Sequence, residues 1–133
     1  MAILAGLQSN LSPRRTFLAG SSALPAFRLL VMTSGVINLA AATAVHFFGS
    51  TEETGAAAST PVNVLLRNAP GSRIIEAGAA ITAGVDVMPD DNGRIITATT
   101  GSKYVFGKAI TGAGAAGDLV EFIPLGANYQ TGA

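Results

Sequence analysis

The sequence Gly112-Ala113-Gly114-Ala115-Ala116-Gly117 spells the G-x-G-x-x-G of a dinucleotide-binding loop. That loop works only where a helix opens at its end, so the helix N-terminus faces the pyrophosphate, with an acidic residue about 20 positions further on. Here Asp118-Leu119-Val120-Glu121-Phe122-Ile123-Pro124 follows, which reads as a strand, and the sequence stops at Ala133. The glycines are therefore expected to form a loop between two strands. Asp90 and Asp91 could share a proton or hold a cation. Counted from Asp86, however, an EF-hand register puts Asp91 at its sixth position and Thr97 at its twelfth, where glycine and glutamate are needed. A solvated turn is the expectation. His46 has no second histidine and no cysteine to share a metal with, and any Ser-His-Asp triad would have to use it. Between Val45 and Phe47-Phe48 it reads as a strand residue at an interface. No serine lies in a nucleophile-elbow pattern. Catalytic, cofactor-binding and metal residues are accordingly expected to be none, and the chain no enzyme.

Composition narrows the partners. Of 133 residues, 49% are hydrophobic and 12% charged, with eight basic and eight acidic side chains in balance. A nucleic-acid binder needs a basic excess to neutralise phosphates, so nucleic acid is not expected as a partner. The mean hydropathy of +0.46 is high. Yet no apolar run reaches the 18 or more residues of a membrane helix, so no membrane partner is expected either. An apolar, weakly charged chain of this kind is expected to cover its surface with other subunits. Without cysteine, the redox compartment leaves no mark. Ser12-Pro13-Arg14-Arg15-Thr16-Phe17-Leu18 resembles a twin-arginine export motif. Its apolar stretch, Leu18 to Ala26, is diluted by Gly20, Ser21 and Ser22 and closed by Arg28. The preferred reading is an arm whose arginines meet an acidic partner.

The elements that hold these residues read as short strands. Arg94-Ile95-Ile96-Thr97, Tyr104-Val105-Phe106 and Leu119 to Ile123 are rich in β-branched and aromatic residues, and Asn92-Gly93 suits a tight hairpin. Val36 to Phe48 alone has helical spacing, but an internal comparison argues for strands. Gly93 follows Gly35 by 58 residues, and Gly107 follows Gly49 by the same interval. At that offset Ile37 meets Ile95, Phe48 meets Phe106, Val62 meets Val120, and Leu29-Leu30 falls on Val87-Met88. Each copy then holds four strands: about 27–33, 36–41, 45–50 and 61–67, then about 84–88, 94–99, 103–110 and 117–124. Val36 to Phe48 breaks at Ala42-Thr43. Residues 68–83 connect the copies, with a possible extra strand from Ser72 to Glu76. The expected fold is all-β, a small barrel or sandwich of about eight short strands in two pseudo-repeats (about 26–67 and 84–124). An extended N-terminal arm, residues 1–25, precedes the β-domain, residues 26–133.

Ala26-Phe27-Arg28-Leu29, Thr33-Ser34-Gly35, Glu76 to Gly84, Gly107-Lys108-Ala109 and Ala115 to Val120 together resemble the small capsid decoration, or cement, proteins of tailed bacteriophages, which have a β-tulip fold. The resemblance covers about residues 26–124. It implies a trimer on the outer surface of the virion head, assembled in the host cytoplasm and clamping neighbouring copies of the major capsid protein, with no enzyme activity and no cofactor. Residues 1–25 and the tail from Gly126 depart from that pattern. Arg14, Arg15, Phe17 and Leu18 are expected at the capsid or partner contact, and Phe47, Phe48, Phe106 and Phe122 at the trimer interface. Another structural virion protein (minor head or spike base) and an exported bacterial surface domain are the alternatives.

Overall fold

A computed structural model describes residues 12–99 and 104–130, with side chains as far as residue 125. The described residues form ten strands in two five-stranded antiparallel sheets. The first sheet holds β1 (Arg14–Leu18), β2 (Leu29–Thr33), β3 (Val36–Leu39), β4 (Gly49–Ser50) and β5 (Pro61–Leu66) in the order β1-β5-β4-β2-β3. The second holds β6 (Arg73–Glu76), β7 (Asp86–Pro89), β8 (Ile95–Thr97), β9 (Tyr104–Ala109) and β10 (Leu119–Gln130) in the order β6-β10-β9-β7-β8. The two orders are the same, strand for strand. Both sheets are open, so the architecture is a sandwich-like pair rather than a closed barrel.

Equivalence reaches single hydrogen bonds. Ala19 bridges Ile37 in parallel, and 58 residues on Ala77 bridges Ile95. The Gly20 amide donates to the Ile37 carbonyl and the Gly78 amide to that of Ile95, both at 2.8 Å. The repeat thus begins before residue 26. β1, placed by the sequence in a departing arm, pairs with β5 from Arg14↔Leu65 to Leu18↔Pro61, as β6 pairs with β10. Ala19 and Leu24 are buried in the core. Residues 14–18 of the expected arm are therefore part of the first sheet, where Phe17 faces the core opposite Val62. Residues 1–11 lie outside those described. Each repeat has five strands instead of four, and the expected 68–83 connection shrinks to residues 67–72.

The offset is not uniform. Leu30 and Val87 each pair with the glycine of their own repeat, Leu30↔Gly49 and Val87↔Gly107, so β2 and β7 match at 57 residues. Leu30, not Leu29, is the counterpart of Val87. The hairpin turns explain the slip. Ser34 and Gly35, both at positive φ (51° and 81°), make a two-residue turn of the type whose twist suits a hairpin. The second hairpin closes with Asp90 N–H donating to the Arg94 carbonyl at 2.8 Å, around three residues ending in Gly93 at φ 72°.

Val36 to Phe48 contains no helix. It turns at Ala42-Thr43 as expected, where Ala44 N–H reaches the Ala41 carbonyl at 3.0 Å. Its second half is mostly irregular, and β4 spans only Gly49 and Ser50. Gly49 and Gly107 let neighbouring strands approach. A Cβ would lie 2.6 Å from the Leu65 carbonyl oxygen at the first and 2.2 Å from that of Ile123 at the second.

Alternation along the strands gives each sheet two faces. On the first, Phe17, Leu30, Ile37, Val62, Val64 and Leu66 point to one side, here the front, and gather in one apolar cluster. The matching front of the second sheet carries Ile75, Val87, Ile95, Val120 and Phe122. Leu29, Ala40 and Phe47 from the first repeat join that second cluster. The back of the first repeat covers the front of the second.

Candidate interaction faces

A polar seam joins the repeats. Glu76 N–H donates to the Phe27 carbonyl at 2.9 Å and Leu29 N–H to that of Gly93 at 2.7 Å. Arg28 Nη1 reaches the Asn92 carbonyl and Nη2 the Glu76 carboxylate, each at 3.0 Å. Ala42 N–H donates to Asp91 Oδ1 at 3.1 Å. Under the seam the Phe47 ring lies 5.4 Å from Phe106 and 6.3 Å from Phe122, within the range of favourable aromatic pairs.

The link between the repeats is organised by Arg73, 2% exposed. Its guanidinium donates to the carbonyls of Gly71, Ser72, Leu66, Arg67 and Ala69 at 2.8–3.1 Å. Burial pushes its pKa down, opposed by the charge of Glu52. The five-donor fork is suited to gathering several carbonyls at once. A second fork binds the chain's start, with Arg14 Nε and Nη2 donating to the two Glu52 carboxylate oxygens at 2.6 and 2.9 Å. That hydrogen bond holds the Glu52 carboxyl below the usual carboxylate range and raises Arg14.

The expected contact residues separate into two kinds. Phe47, Phe106 and Phe122 are at most 1% exposed within their own chain. They hold the repeats together, which corrects their expected place at a trimer interface: a ring packed inside one chain offers no surface to another. Phe48 is half-buried and meets Phe17 edge-on at 5.1 Å. Arg14 already has its carboxylate partner in Glu52. Arg15 is exposed, its guanidinium 5.7 Å from the Phe17 ring centre. Leu18 is 49% exposed on the edge strand β1.

The remaining chemistry-bearing residues serve turns. Asp90 Oδ1 accepts from the amides of Asn92 and Arg94 at 2.8 and 3.0 Å, while Oδ2 pairs with Arg94 Nε at 3.0 Å. In the glycine-rich loop, Asp118 Oδ2 accepts from the Gly114 and Ala115 amides at 2.9 and 3.2 Å. A carboxylate of the chain itself occupies the amides a phosphate would need, and β10 follows where a helix would be required. His46 is exposed beside Met32 and Phe48. Among the described residues no three His, Asp or Glu side chains come together as a metal site would need.

Two apolar surfaces stand open. One is an end of the front of the first sheet, a groove lined by Phe17, Met32, Phe48, Leu66 and Leu125, with Arg15 and Arg67 also on its walls. The other is the back of the second sheet, where Ile74, Leu119 and Ile123 are 49–53% exposed. Sequence reasoning missed the second surface, although its signal is legible. Leu119-Val120-Glu121-Phe122-Ile123 is apolar at four of five positions, the pattern of a strand meant to be covered on both sides.

No protein-family model and no curated protein matches the sequence. Among solved structures, the chain is similar to the N base of the head fiber gp8.5 of bacteriophage phi29. The TM-score is 0.70 at 21% identity, over 88% of this chain and 98% of that one. At that identity the likeness is one of fold.

Proposed function

We propose that this chain is a non-enzymatic structural protein of a tailed-phage head, a decoration protein that sits on the outer surface of the capsid. The observation that carries this reading is the fold shared, over nearly the whole chain, with a head fiber base. The two open apolar surfaces support it, because a sheet with uncovered apolar faces is built for contact and not for turnover. The Asp118 and Asp90 carboxylates are spent on their own loops, which leaves no acid–base pair or phosphate cradle in those turns. In this reading the chain assembles as a homotrimer and clamps neighbouring copies of the major capsid protein, taking its place during assembly in the host cytoplasm. Leu18 and Arg14, on the outward edge of the first sheet, belong to the capsid contact. Bridging subunits from several points raises the strength of attachment beyond that of any one contact.

A second reading is favoured by the description of the similar structure: the domain is the base of a head fibre, carrying a projecting element instead of acting as a clamp alone. Mixing the purified chain with undecorated heads separates both from everything else. Saturable occupancy on heads is expected, together with greater resistance of decorated heads to heat. Absence of binding to any phage head overturns the reading. Binding without added resistance favours the fibre base over the clamp.

A further inference from the structure

The two repeats have the same strand order and the same front and back faces, yet the front of the second is covered throughout, whereas that of the first is covered at Leu30, Ile37, Val62 and Val64 and open at one end. Three pairs of matched positions show it. Ile75, Phe106 and Pro89 in the second repeat are buried, and Phe47 of the first repeat caps Phe106 at 5.4 Å. Their counterparts Phe17 and Phe48 are half-buried and Met32 is 39% exposed. The backs mirror this. On the first repeat, Leu29 sits in the shared core. On the second, Ile74, Leu119 and Ile123 are half exposed, and Ile110 is 42% exposed beside them.

We infer that a second copy of this chain lies in the open groove, with the back of its second repeat against the front of the first repeat of its neighbour. The inference rests on the self-association in the head-protein reading and adds its geometry. The internal junction supplies the template: back of one repeat on front of the next, in a fixed direction. Repeating that direction between chains covers both apolar surfaces with one contact. Neither surface is matched to itself, so the junction is head-to-tail and not two-fold, and it continues until the chains close into a ring. Charge agrees with the pairing. Arg15 and Arg67 stand at the groove, whereas the back of the second sheet carries the half-buried Glu121 opposite Ile74, and its Lys108 opposite Ile123 is neutralised by Asp86 at 3.1 Å. Arg15, expected from the sequence at a capsid or partner contact, is thereby assigned to the contact between chains.

The experiment uses one variant for each face in the full chain, Met32→Glu with Arg15→Glu for the groove and Leu119→Glu with Ile123→Glu for the back, after confirming their β-sheet spectra. Analytical ultracentrifugation of the native chain is expected to show an assembly, and each variant alone a monomer. An equimolar mixture of the two variants should form dimers, since one intact junction remains. A back variant that assembles like the native chain overturns the inference, as does a mixture that stays monomeric or a native chain that is monomeric at high concentration. Should a variant not fold, cysteine-free background allows a second measurement. Met32→Cys and Ile123→Cys chains, mixed and treated with a short thiol cross-linker, are expected to give a heterodimer band many-fold stronger than either alone. Equal homodimer bands count against the direction of the junction. Head occupancy is read separately, so a chain that assembles but binds no head refutes the head-protein reading while leaving this contact standing.

Discussion

Arg73 carries more of the structure than its place in a short link suggests. Replacing it with Leu removes the common donor of five carbonyls. Buried acceptors left without partners cost about 1–3 kcal/mol each, so a loss of roughly 3 kcal/mol in urea unfolding is expected, with some carbonyls regaining water. Arg73→Lys should recover only part of it, because an ammonium lacks the planar fork. Gly107→Ala is expected to be worse than its size implies. The added methyl would sit 2.5 Å from Phe122 Cδ2 and 2.2 Å from a carbonyl oxygen, and overpacking of that kind costs about 1–3 kcal/mol. Gly35→Ala meets nothing within 4 Å and has only its positive φ to strain, so it is the control. Equal loss in the two would contradict the close-approach argument. For Glu52 the sign is that of a lowered carboxyl. The unfolded chain binds more protons as pH falls, so the pair's stabilisation is full above about pH 5 and fades through and below the ordinary glutamate value near 4.3. A denaturation series should show a shallower acid decline in Glu52→Gln than in the native chain.

At the scale of elements, the sequence carried most of the strands and misjudged their ends. Eight were placed by β-branched runs and by the glycine interval, and the break at Ala42-Thr43 came from comparing copies, since local periodicity alone spelled a helix there. The 58-residue match, Arg14 to Leu18 against Ser72 to Glu76, was present as well. It was hidden because Arg14-Arg15-Thr16 has none of the apolar character of Ile74-Ile75, and an edge strand needs only one inward side chain, here Phe17. The site was less legible. Phe47, Phe106 and Phe122 read as surface aromatics because sequence shows that a ring must be covered but not by which repeat. Removing residues 1–18 is now expected to break the fold: β5 loses its partner and Val62 and Val64 lose cover. Thermal unfolding should fall by many degrees or lose its cooperative transition. Removing residues 1–11 leaves β1 in place and should retain the transition. A stable 19–133 chain would show β1 to be dispensable.

On the scale of the whole molecule, the seam fixes the two repeats as one unit. Its aromatic centre offers a direct check. Phe47→Ala opens a space against Phe106 and Phe122, and truncating a buried phenylalanine costs about 3–5 kcal/mol. A loss of that size, with a lowered single transition, is expected if the repeats unfold together. Two separate transitions would mean that each repeat stands by itself.

The knot of hydrogen bonds around Arg73 has a mechanical meaning. Leu66 to Arg73 would reach up to about 25 Å if drawn straight, at roughly 3.3–3.6 Å per residue. Gathered on one guanidinium, the segment has no slack to give. A pull that separates the repeats meets a stiff tie from the outset, and stretch appears only after the fork lets go. Load across the repeats would then pass through the link at once, so that it behaves as a rivet and not as a tether.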